Sequence, residues 1–152
     1  METSTTTIID APAATVFLWL EDNARLKQWV PNLVEDEPIH ETPERVGSRF
    51  RQVFLEKGRK MEMVGEITAY VPNERMRVMM TGELFHLDVD YNLLAVSDVQ
   101  TEVTQDTVIA FKGALKLMAP LMWLASKLTS KDPQAEAHAV LKEVAEAEFN
   151  AA

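Results

Sequence analysis

At 152 residues, with 47% hydrophobic and 26% charged side chains, the chain has the composition of a single folded domain, spanning 1–152, and not of a disordered, collagen-like or coiled-coil segment. A net charge of −9 argues against nucleic acid as a partner, because affinity for phosphates comes largely from Lys and Arg. The absence of cysteine removes disulfides, thiol nucleophiles and cysteine-bound zinc, and suits a cytoplasmic location. Met1 to Thr7 lacks the pattern of a secretory signal. Ala114 to Leu128 is the longest apolar-rich stretch; it carries Lys116 and Lys127 and falls short of the roughly 20 residues of a membrane span.

Thr3 to Asp10, rich in Thr and Ile, reads as a first strand. Pro12 then suits a helix start, and Val16, Phe17 and Leu20 follow at helical spacing, so a short helix is predicted from Pro12 to about Leu20. Glu21-Asp22-Asn23 caps a second short helix, Ala24 to Trp29, which Pro31 ends. Six further strands are predicted near Val34 to His40, Ser48 to Leu55, Met61 to Tyr70, Arg75 to Thr81, Leu84 to Val96 and Val99 to Lys112. The turns between them carry Pro43 and Gly47, Gly58, Pro72-Asn73, Gly82 and Ser97-Asp98.

Charge fixes which face of these strands is wet. A tight turn at Thr81 to Leu84 sets Arg77 opposite Asp88 and Arg75 opposite Asp90, with Glu66 and Thr68 on the same solvent side. Met63, Gly65, Ile67, Met76, Val78, Met80, Phe85, Leu87, Val89 and Tyr91 then share the concave face. Pairing through Ser97-Asp98 brings Tyr91 beside Gln105 and Val89 beside Thr107, with Ile109 and Phe111 further along. His86, Asp88 and Asp90 alternate like a metal or acid-base cluster, but their Arg partners make them a solvated surface. His40 lies near a loop at the cavity mouth, His138 is expected on an exposed helix face, and no histidine spacing fits a zinc helix.

Gly113 to Phe149 is helical in pattern. Leu117, Leu121, Leu124 and Leu128 recur on one face, widened by Met118, Met122 and Ala125, and this stripe is expected to roof the concave sheet. Pro120 and Asp132-Pro133 leave two alternatives open: a continuous helix, or one kinked or restarted at those points, with Ala137, Leu141 and Val144 facing inward. Breaks there would let the roof flex for ligand entry.

The order strand, two short helices, six strands, long helix resembles the helix-grip fold of the START/SRPBCC superfamily, in particular its polyketide cyclase/dehydrase and lipid-transport-like branch. The resemblance rests on Ile9-Asp10-Ala11-Pro12-Ala13 leading to Val16 and on Asp22 through Trp29-Val30-Pro31. It rests also on Val71-Pro72-Asn73-Glu74-Arg75-Met76 and on Phe111-Lys112-Gly113 running to Leu141-Lys142. It implies an α+β fold with a seven-stranded curved antiparallel sheet around a long C-terminal helix, and a cavity between them for a hydrophobic ligand. It transfers no catalytic motif.

The expected ligand-binding set is Gln52, Met63, Met76, Met80, Phe85, Val89, Tyr91, Gln105, Thr107, Phe111, Met118 and Met122, apolar and Met-rich with a few polar groups. Gln52, Tyr91, Gln105 and Thr107 either meet a ligand or bond to one another in an ordinary core. The function expected is binding of a lipid, polyketide-like or aromatic molecule, with no cofactor or metal. One alternative is a cyclase, aromatase or dehydratase with Tyr91 as proton donor and Gln105 orienting a carbonyl. Another is an interaction module docking through Trp123 and Lys112, Lys116, Lys127 and Lys131, including transient contact with a membrane surface.

Overall fold

The computed structural model describes residues 1–128 and 132–152, without the side chains of Ala119, Met122, Trp123, Ser126, Lys127 and Leu128. The expectations placed on Met122, Trp123, Lys127, Leu128 and Lys131 therefore lie outside the described residues. Strands β1 (Glu2–Ile9), β2 (Leu33–His40), β3 (Arg49–Glu56), β4 (Arg59–Val71), β5 (Arg75–Gly82), β6 (Phe85–Ser97) and β7 (Gln100–Phe111) form one antiparallel sheet. Its order is β1-β7-β6-β5-β4-β3-β2, a meander whose last strand returns to the first. Helices α1 (Ala13–Glu21) and α2 (Asn23–Trp29) bridge β1 to β2, and α3 (Leu115–Leu128) and α4 (Pro133–Ala151) follow β7.

The β6–β7 register is the expected one, with Tyr91 paired to Gln105 and Val89 to Thr107. The β5–β6 hairpin sits two residues away from expectation: Arg77 pairs with Asp90 and Arg75 with Asn92 along the backbone. A shift of two keeps every side chain on its face. The arginines reach diagonally to their expected carboxylates, Arg77 to Asp88 at 2.5 Å and Arg75 to Asp90 at 2.9 Å. His86 lies on this outer face with Nδ1 3.2 Å from Thr81 Oγ1.

The C-terminal segment is two helices. Asp132 caps α4, its carboxylate accepting from the Gln134 and Ala135 backbone amides, and Pro133 occupies the first turn. The helix gripped by the sheet is α4, packed on β1 and on α1 and α2. Its buried face is Ala137, His138, Leu141 and Ala145, small or compact side chains that let the helix sit close to the strands.

The expectation that the Leu117 stripe faces the sheet is overturned. Leu117 is 86% exposed, Leu121 68% and Leu124 52%. Gly113, at φ +58°, turns the chain as it leaves β7. α3 then touches β7, and none of its described residues lines the concave face.

Candidate functional site

Between the concave face, α2 and the start of α4 lies a cavity of about 340 Å3, near the lower end of the roughly 300–1,000 Å3 usual for small-molecule sites. Its floor is Ile67, Met76, Val78, Met80, Leu87 and Val89, the inward residues of β4, β5 and β6. Leu20, Leu26 and Trp29 close one side, and Gln134 and Ala137 the other. The exposed lining residues Pro31, Pro38, Glu41 and Arg49 mark the mouth beside β2 and β3.

Of the residues expected at the site, Gln52, Met76, Met80, Val89, Tyr91, Gln105 and Thr107 line this cavity. Met63, Phe85 and Phe111 lie on the concave face but away from it. Met63 is buried against Gly82, and the Phe85 and Phe111 rings pack edge to face on each other with centroids 6.2 Å apart. Each is used by its cross-strand neighbour, which removes it from the free wall. Met118 is half-exposed on α3, so the roof is α2 and α4. His40 is exposed and does not line the mouth.

The inner polar groups fall into two systems. One is closed. His138, expected at the surface, is 1% exposed, because it shares a helix face with Leu141 and Ala145. Its Nε2 lies 2.8 Å from Gln105 Oε1 and its Nδ1 2.9 Å from Thr7 Oγ1. An amide oxygen only accepts, so Nε2 carries the proton and Nδ1 of the neutral ring accepts from the Thr7 hydroxyl. Burial keeps this imidazole neutral, pushing its pKa below the ordinary value against a smaller opposing pull from Asp132. Gln105 Nε2 donates to Thr107 Oγ1 at 3.2 Å, Thr107 donates to Gln134 Oε1 at 2.8 Å, and Gln134 Nε2 donates to Thr5 Oγ1 and the Gln105 carbonyl. Gln105 and Thr107 are thus bonded to one another and to α4 while both line the cavity.

The other system is open. Tyr91 packs edge to face on Trp29, with centroids 6.3 Å apart, and its hydroxyl makes no hydrogen bond among the described residues. Burial pushes its pKa well above the usual phenol range. Gln52, 7% exposed, donates through Nε2 to Asp36 Oδ2 at 3.1 Å, while Asp36 Oδ1 is buried with no partner. Loss of solvent raises the Asp36 carboxyl to about 6, opposed by the Gln52 hydrogen bond and the field of Lys27.

At the mouth, the Tyr70 hydroxyl donates to Glu21 Oε2 at 2.5 Å, and the Arg45 guanidinium lies 3.9 Å from that oxygen and over the Tyr70 ring. Sequence reasoning passed over Asp36, Glu21, Arg45, Gln134 and the buried state of His138. A three-and-four spacing of His138, Leu141 and Ala145 was the available signal for the last. Among the described residues no His, Asp and Glu side chains converge as a metal-binding group, and no helix is long and apolar enough to cross a membrane.

Comparison with solved structures finds the same fold at low identity. TTHA0849 from Thermus thermophilus matches with a TM-score of 0.77 and 19% identity over 97% of this chain and 99% of that one. The Zhui aromatase/cyclase from Streptomyces sp. R1128 matches with a TM-score of 0.76 and 13% identity over 96% and 93%. A START superfamily protein from Mycobacterium smegmatis matches with a TM-score of 0.70 and 15% identity over 98% and 97%. No curated protein sequence matches the chain. The family model described as polyketide cyclase / dehydrase and lipid transport matches residues 1–146, and the chain belongs to that family.

Proposed function

We propose that the chain binds and carries a hydrophobic small molecule, of lipid, polyketide-like or aromatic character, between the sheet and α4. The observation that carries this reading is the apolar cavity of about 340 Å3 in a domain that otherwise packs a continuous core. Met76 and Met80 give its floor an adaptable surface. The test is native mass spectrometry of gently purified protein, followed by a screen of lipids and aromatic compounds. A bound mass, or a ligand from the screen that raises Tm, is expected; binding by none of them refutes the reading.

Cyclase, aromatase or dehydratase chemistry is less well served. The Tyr91 hydroxyl is made a poor acid by burial, and the Gln105 amide is engaged by His138 and Thr107. A second reading, contact of α3 with an anionic membrane surface, is favoured by the exposure of Leu117 and Leu121. Between Phe111 and Asp132 the charged residues are Lys112, Lys116, Lys127 and Lys131, all basic in an acidic chain. Cosedimentation with phosphatidylglycerol vesicles, compared with phosphatidylcholine alone, tests it.

A further inference from the structure

The inner charged groups of this protein are mostly paired. Arg25 reaches Asp22 and Glu148, Arg45 lies beside Glu21, and Lys142 holds Glu146. On the inner wall Asp36 is the carboxylate left over: among the described residues it forms no ion pair and one of its oxygens is buried without any partner, while the other buried atom without a partner, Arg45 Nε, belongs to a guanidinium that already lies beside Glu21. Gln52, the neighbour of Asp36, leaves a second unfilled acceptor. Because the carboxylate can only accept, the Gln52 amide turns its nitrogen to Asp36, and its Oε1 accepts no hydrogen bond among the described residues. Asp36 and Gln52 are direct cross-strand partners, so these acceptors are held side by side by the β2–β3 ladder.

The placement depends on one irregularity. Leu33 points inward, and strict alternation from it would turn Glu35 and Glu37 inward and Asp36 to solvent. A register shift between Leu33 and Glu35 reverses this and aims Asp36 into the wall.

We propose that Asp36 and Gln52 form a polar subsite of the cavity that takes a protonated amine, the head of a ligand whose apolar body lies against Met76, Met80 and Val89. The inference rests on the cavity reading above and narrows its ligand class. An ammonium group supplies both missing donors and the missing positive charge. A hydroxyl supplies one donor and no charge, and a carboxylate or phosphate is repelled. The surrounding apolar wall strengthens the charge-assisted contact, and the net charge of −9 attracts cations to the mouth. The groups acting on Asp36 are Gln52 on β3, through its hydrogen bond, and Lys27 on α2, through its field alone; Glu21, Glu41, Arg45 and Arg49 line the same cavity nearer its mouth, two of each sign. Amine affinity therefore rests on the ionised carboxylate and is lost as pH falls through about 6.

The experiment uses the full chain and displacement of the neutral fluorophore N-phenyl-1-naphthylamine by decylamine, decanol and decanoate, each below its micellar concentration. At about pH 7.5, decylamine is expected to displace the fluorophore at least about tenfold more effectively than the other two. That preference collapses in Asp36→Asn and in wild-type protein at about pH 4.5. Glu62→Gln, an equal charge change on the outer face, is expected to keep it. Thermal melts show whether Asp36→Asn is folded, and Gln52→Leu, also expected to weaken the preference, serves if it is not. Equal selectivity in Asp36→Asn and wild type, or no selectivity, overturns the subsite while leaving the cavity reading intact. Failure of the fluorophore and all three amphiphiles to bind overturns both.

Discussion

Replacing Asp36 by Asn should make the ligand-free protein more stable. The carboxyl sits at about 6 in the folded chain against an ordinary 3.8, so between those values the folded state binds a proton that the unfolded chain has released. Stability therefore falls as pH rises across that window, and above it the protein bears the full cost of a poorly solvated carboxylate. At about 1.4 kcal/mol per pH unit the displacement bounds that cost at about 3 kcal/mol. Asp36 is only half-buried and water screens it in part, which brings the expected figure to about 1–2 kcal/mol. Asn keeps an oxygen for the Gln52 amide and does not titrate. Urea unfolding followed by tryptophan fluorescence should show Asp36→Asn more stable than wild type by that amount at about pH 7.5, with the gain vanishing near pH 4. Equal or lower stability of the variant at the higher pH would refute the reasoning, as would a gain of the same size at both.

His138 titrates in the opposite sense. Its pKa is depressed by burial, so the stability it brings is present above the ordinary 6.5 and is lost as pH falls below that value. His138→Gln should cost about 1–3 kcal/mol at neutral pH by disturbing the Thr7 and Gln105 bonds, and should flatten the acid branch of the stability profile in urea unfolding. Gly65 lies under the Phe50 ring, and a Cβ there overlaps the ring tip. Gly65→Ala should push Phe50 into the cavity it lines, costing about 1–3 kcal/mol and weakening N-phenyl-1-naphthylamine binding several-fold; unchanged affinity would mean the ring moves elsewhere. Leu117→Asp should change stability by less than about 0.5 kcal/mol, given its exposure, while abolishing cosedimentation with anionic vesicles.

The strands were legible because alternation and turn residues coincide. The outward Arg and Asp residues and the inward Met and Val residues give β5 and β6 one orientation only, and the turn at Ser97-Asp98 carries that register to Gln105 and Thr107. Asp36 was hidden by a register shift that no residue pattern between Leu33 and Glu35 announces. The helices misled for a different reason. Apolar periodicity singles out α3, yet the gripped helix is the less apolar α4, whose Ala137 and Ala145 let it approach the sheet closely. His138 counts as polar in any stripe, and its burial follows from Thr7 and Gln105 lying across from it on β1 and β7.

The two polar systems divide the cavity wall into a part that is already satisfied and a part that is not. Around α4 each donor meets an acceptor in one sense, from Thr7 through His138, Gln105, Thr107 and Gln134 to Thr5. The far end of α4 is tied as well, since Glu148 accepts from Arg25 and from the Trp19 indole. A helix anchored at both ends by buried or half-buried contacts is a poor candidate for the part that opens. The unsatisfied acceptors lie instead beside β2, an edge strand with two register shifts, next to the exposed Pro38, Glu41 and Arg49. An edge strand is held on one side only, so local opening is easiest there. On the proposed binding reading, entry and polar selection of a ligand would fall at the β2–β3 margin, with the network on α4 as the fixed wall opposite.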